Sequence, residues 1–254
     1  MSAPAIERPP RETFRPGFGA LGRPDPARTG SYKWVYLWGA PLRVMHWAAA
    51  FSIVLLVVTG FMIGPPFFSP DAEIRSSFFI GWVRFLHFGG AAILVATGLV
   101  RAYWLVAGNK FERLPALFPV RKRDLVNLWK QVRFYLMWKV DETPHYLGHN
   151  PLQQMSYTGV YLFTLVMVVT GFALYGQADP NSALFSVFHP LATAVGGMPR
   201  IRLIHHVLTW FYPAFLIMHV YMSIRADIYE REAAITSIVS GGRFVPADHH
   251  FADE

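Results

Sequence analysis

Four long apolar stretches, almost free of charge, limit what this chain can fold into more than any other feature. They lie at about 44–64, 83–107, 155–176 and 203–224. Each supplies the roughly 20 mostly apolar residues that a helix needs to cross a hydrocarbon layer. Unpaired backbone groups are too costly in lipid, so only helices or a closed barrel can span it. The short alternating segments of a barrel are missing. The sequence therefore predicts an all-α, integral membrane four-helix bundle over 38–243. A Pro-, Gly- and Arg-rich segment over 1–37 reads as a mobile tail, and 244–254 as a second, short one. Composition agrees, with 53% hydrophobic and only 15% charged residues, against roughly 25% charged in soluble domains.

The basic residues sit beside the apolar runs, so the net charge of +7 reads as membrane topology rather than nucleic-acid binding. Seven Lys/Arg precede the first span through Arg43, and the loop 110–140 carries eight against two acids. By the positive-inside rule both termini and that loop are expected to be cytoplasmic. Two segments are expected to flank the membrane as surface helices. One is 125–138, where Leu125, Leu128, Trp129, Val132 and Leu136 follow helical spacing; the other runs from Arg225 to Ser240.

Cysteine is absent. That removes disulfides, iron–sulfur clusters, thiolate zinc and covalently attached c-type haem. Histidine remains, and four lie in or at the edge of the spans: His46, His87, His205 and His219. Ionisable groups at membrane depth usually mark a site or a buried pair. Alternating helix direction puts His46 and His219 at one level and His87 and His205 at the other. The last two spacings follow from one helix: fourteen residues advance about 21 Å and return to nearly the same face. His206, one residue off, diverges by about 140° and reads as a neighbour.

Two level pairs of imidazoles suit two b-type haems, each gripped from both sides in a bundle core. Structural zinc fits less well, since it needs about four ligands at one point. Arg43, Arg84 and Arg202 each precede a histidine by three residues, on its outer side. Guanidinium groups there could meet haem propionates or simply snorkel to the interface. The pentapeptide Val-Val-Thr-Gly-Phe occurs twice, at 57–61 and 168–172, closing the first and third spans. Its small residues would let a helix or a flat cofactor approach. His145, His149, His189, His249 and His250 read as surface residues.

Several stretches together resemble the b-type cytochrome subunit of membrane-bound nickel–iron hydrogenases. They are Ala40–Trp47, Arg84–Phe88, Gly148–Pro151, Thr170–Tyr175, His219–Met222 and Ser237–Gly241. The resemblance covers about 40–243. It implies a four-helix fold with two haems b, ligated by His46, His87, His205 and His219. It also implies a bacterial inner membrane, a hydrogenase of small and large subunits on the outer face, and electron transfer to quinone. Family members often carry a further histidine where this chain has Arg202. Formate dehydrogenase gamma subunits resemble the chain more loosely. There an asparagine at the start of the third span helps bind quinone, and Asn150 occupies a similar place. Two alternatives stay open at this stage: a cytochrome serving formate dehydrogenase or another molybdenum oxidoreductase, and a haem-free histidine transporter.

Overall fold

A computed structural model describes residues 32–64, 78–118, 122–137, 146–230, 234–247 and 251. The chain enters on strand β1 (Tyr32–Tyr36) and runs into α1 (Ala40–Ile63) and α2 (Phe79–Ala107). A short α3 (Leu114–Leu117) and α4 (Lys122–Met137) follow. Then come α5 (Pro151–Gly176), α6 (Ala183–Ala194), α7 (Met198–Thr209), α8 (Phe211–Glu230), α9 (Ala234–Ser240) and strand β2 (Gly242–Pro246).

The four expected spans are present as Ala40–Ile63, Phe79–Ala107, Pro151–Gly176 and Met198–Ile228. Each extends the sequence estimate at one end or both, because local capping rather than hydropathy decides where a helix starts. In α1, Pro41 sits in the first turn, where its missing N–H costs nothing. In α5, Asn150 and Gln153 form a reciprocal capping box, Oδ1 accepting from the Gln153 N–H and Oε1 from the Asn150 N–H, both at 3.0 Å. Large apolar side chains such as Phe51, Leu99, Tyr103 and Ile217 face outward. On a water-soluble protein such surface would be a liability; in lipid it is the solvated face.

The fourth span is interrupted. Pro213 has no N–H to give to the carbonyl of Thr209, and the Trp210 N–H falls back on Val207 O at 3.2 Å. Thr209 also turns its hydroxyl to the His205 carbonyl at 2.9 Å, a back-bond that bends helices. The helical ladder is therefore broken at Trp210 between α7 and α8, yet Trp210 keeps helical dihedrals (φ −65, ψ −22) and Met198–Ile228 runs as one span carrying both His205 and His219, as expected.

Two segments far apart in the sequence meet. β1 and β2 pair antiparallel with Tyr36 opposite Gly242. The expected tail boundaries at 37 and 244 thus fall just after β1 and within β2, while 1–31 lie outside the described residues. Gly241 makes the junction with φ +96. A Cβ there would stand 2.7 Å from the Tyr36 ring and 3.0 Å from Trp38 O. Its carbonyl accepts from Leu37 N and Trp38 N, both at 2.8 Å. Around this sheet Leu37, Trp38, Phe111, Leu147, Val245 and Phe251 form one core. A second core, Ala173, Ala192 and Ile201, closes the opposite end between α5, α6 and α7. Between the two lies the zone that carries the spans' histidines.

Helices occupy both segments expected to flank the membrane: α4 lies against α5 with Leu125 and Trp129 exposed, while from Arg225 the chain first continues the spanning helix α8 to Glu230, and α9 is a separate short helix.

Candidate haem site

His46 on α1 faces His219 on α8, with ring centroids 6.4 Å apart and planes tilted by 45°. That is too far for stacking. It matches two metal–nitrogen bonds of about 2 Å plus two ring radii of about 1 Å, about 6 Å in all. Phe215, one turn before His219, stacks on its ring at 5.4 Å and limits its rotation. The His46 Nδ1 is buried and has no hydrogen-bond partner.

His87 on α2 and His205 on α7 lie close enough to interact electrostatically. They are held differently from the first pair. The Thr59 hydroxyl meets His87 Nδ1 at 2.8 Å, and the Thr170 hydroxyl meets His205 Nδ1 at 2.8 Å. Beside each threonine is a glycine over which the ring sits. A Cβ on Gly60 would touch His87 Cε1 at 3.5 Å, and one on Gly171 would touch His205 Cε1 at 3.5 Å. His206 instead lies against Gly64 at the end of α1, so the two adjacent histidines are directed apart.

Among the described residues no group of three or more His, Asp or Glu converges on one point that could hold a metal ion. Pairs rather than clusters fit an iron already held by a porphyrin's four nitrogens and needing two axial ligands. The residues present therefore fit haem.

The arginines divide. Arg43 is half-buried and gives its Nη1 to the Val239 carbonyl, while its Nε is buried without a partner. Arg84 and Arg202 are exposed. Asn150 has its Oδ1 engaged as the N-cap of α5. Sequence reasoning missed Thr59 and Thr170 as polar partners, although the repeated Val-Val-Thr-Gly-Phe marked both places.

One surface assignment is corrected. His149 packs between Trp38 at 4.7 Å and Tyr157 at 4.9 Å. Its surroundings push its pKa down to about 3, first by burial and then by the charges of Arg101 and Arg243. His189 is exposed, stacked on Phe185 at 4.5 Å; His145, His249 and His250 lie outside the described residues. A histidine of depressed pKa binds protons more readily when unfolded, so stability falls as pH drops below 6.5 and the loss is complete near 3. Thermal melts between pH 7 and 4 should show this slope, and His149→Phe should flatten it. An unchanged slope in that variant would assign it to other groups.

Four membrane-length helices with the His46 and His219 rings facing each other between them have the form of a helix-bundle membrane haem protein. The comparisons narrow it. Residues 37–241 match the family described as prokaryotic cytochrome b561, and the chain belongs to that family. A "Probable Ni/Fe-hydrogenase B-type cytochrome subunit" of Bradyrhizobium diazoefficiens is 34% identical over 89% of this chain and 89% of its own length. A protein of the same name from Azotobacter vinelandii is 38% identical over 84% of this chain and 90% of its own length. The "Probable Ni/Fe-hydrogenase 1 B-type cytochrome subunit" of Escherichia coli K12 is 32% identical, covering 82% and 90%. The chain is thus a multi-pass b-type cytochrome, a haem b protein of electron transport.

Proposed function

We propose that this chain is the membrane subunit of a nickel–iron hydrogenase and carries electrons through two haems b to quinone. The observation that carries the reading is the approach of the His46 and His219 rings to 6.4 Å, and the mutual electrostatic influence of His87 and His205 supports a second pair. Haem, when bound, supplies a one-electron carrier at each level; the protein supplies axial ligands, a dry apolar shell and spacing. Phe215 and the Thr–Gly pairs of α1 and α5 restrict the rings to one orientation. Arg43, Arg84 and Arg202 lie on the outer side of their histidines, where carboxylates of a bound porphyrin would meet charge-assisted donors.

The names of the relatives support a nickel–iron hydrogenase as donor; that its small and large subunits lie on the outer face rests on the family resemblance alone. The distribution of basic residues supports cytoplasmic termini in a bacterial inner membrane. His46 and His219 then hold the haem on the cytoplasmic side, and His87 and His205 the haem on the periplasmic side, next to the donor. The quinone contact at Asn150 rests on resemblance to formate dehydrogenase gamma subunits, and it would use the part of the side chain that capping leaves over.

Purified in its native complex, the protein should contain two haems b per chain by pyridine haemochrome. Dihydrogen should reduce both, and a quinone analogue should reoxidise them. A colourless protein, one haem per chain, or haems reduced by formate and not by dihydrogen would overturn the reading.

A further inference from the structure

We propose that Thr59 and Thr170 are positioning residues that fix His87 and His205 as Nδ1–H tautomers and leave each Nε2 lone pair for iron. The inference rests on the ligation proposed above and deepens it. A threonine hydroxyl has one proton. Thr59 Oγ1 lies 2.7 Å from Leu55 O, and Thr170 Oγ1 lies 2.8 Å from Val166 O. Two oxygens at that distance repel unless a proton lies between them, and a carbonyl has none to offer. The hydroxyl therefore donates to the carbonyl one turn back, and its lone pairs must accept from the imidazole. In both couples Nδ1 is consequently the protonated nitrogen, and only Nε2 can bind metal.

The arrangement is duplicated. α1 supports the imidazole of α2, and α5 supports that of α7, each at 2.8 Å and each with a glycine next to the threonine. The repeated Val-Val-Thr-Gly-Phe is thus one device used twice: a hydroxyl for the ring nitrogen and a bare backbone for the ring face. His46 of the other pair lacks it, since its Nδ1 finds no acceptor. A ring N–H given to a good acceptor makes imidazole a more basic ligand and holds its orientation. Such ligands favour the ferric state. The device therefore lowers the potential of the haem at this level alone.

The test uses the native complex with Thr59→Val, Thr170→Val, the double variant and the serine replacements, read by redox titration and low-spin electron paramagnetic resonance. Valine keeps the shape and removes the acceptor; serine keeps the acceptor. Each valine variant is expected to raise the midpoint potential and change the g values of one haem, the same haem in both. The double variant should shift it further and release that haem about tenfold more readily. The second haem should be unchanged, which also reports an intact fold, and serine should preserve the native signals. Should one valine variant fail to assemble, the other carries the same test. Unchanged potential and g values in the valine variants, or an equal shift in the serine variants, would overturn the proposal. His87→Ala separates the two levels of inference. If it empties one site while the valine variants are silent, the threonine role alone falls; if it retains both haems, the ligation and the proposal fall together.

Discussion

Alanine at position 219 is expected to halve the haem b content of the chain, from two to one. His219 stands on α8 with its ring 6.4 Å from that of His46. Among the described residues no other imidazole is placed to take over: His205 and His206 lie thirteen or more residues back along the span, and His149 is packed between Trp38 and Tyr157. One axial ligand cannot hold a low-spin haem as two do. His46→Ala should delete the same signal, and combining the two should cost no more than either alone, since both serve a single site. His87→Ala should delete the other. The reduced-minus-oxidised spectrum and pyridine haemochrome of the purified variants decide the matter. Full two-haem content in His219→Ala would end the ligand assignment.

The second large effect is expected at Glu112→Ala, remote from any imidazole. Glu112 is 1% exposed, a depth at which a carboxylate must be fully engaged. Its Oε1 accepts from the Gly39 N–H at the head of α1, while Oε2 accepts from Trp104 Nε1 at 2.8 Å and the Asn109 N–H at 3.2 Å. The charge thus sits at the N-terminus of one span and clamps the C-terminal turn of the next. Alanine would strand three donors. A buried, unsatisfied group costs about 1–3 kcal/mol, and since these three donors are half-buried the lower end applies to each, about 3 kcal/mol in all. For a chain of this size that is a fall of roughly 6–12 °C in Tm, followed by loss of haem absorbance on heating. Glu112→Gln, which retains an acceptor, should fall less. A melting curve matching the native one for the alanine variant would show that the clamp is unimportant.

Much of the architecture could be read directly from the chain. A membrane span is a property of one continuous segment set against the thickness of a bilayer, so counting apolar residues was enough to find all four. Histidines in those segments are equally visible, and their levels follow from alternating helix direction. Pro213 was also in view. The N–H it lacks removes one rung of the ladder near Trp210 without ending the span. The strand pairing escaped notice because Tyr32–Tyr36 and Gly242–Pro246 lie at opposite ends of the sequence, and neither has an apolar alternation strong enough to name its partner.

The sequence by itself determined what crosses the membrane and which side chains have chemistry to offer there. Only the tertiary structure decided what those side chains meet. It gave His87 and His205 a threonine each, left His46 Nδ1 without one, drew His149 between two rings, and set Glu112 beneath Gly39. The reason is physical: hydropathy sums over neighbours in the chain, whereas a hydrogen bond depends on the position of one atom relative to another to within a few tenths of an ångström. That placement is made by helices packing across the bundle, and no local stretch of residues encodes it.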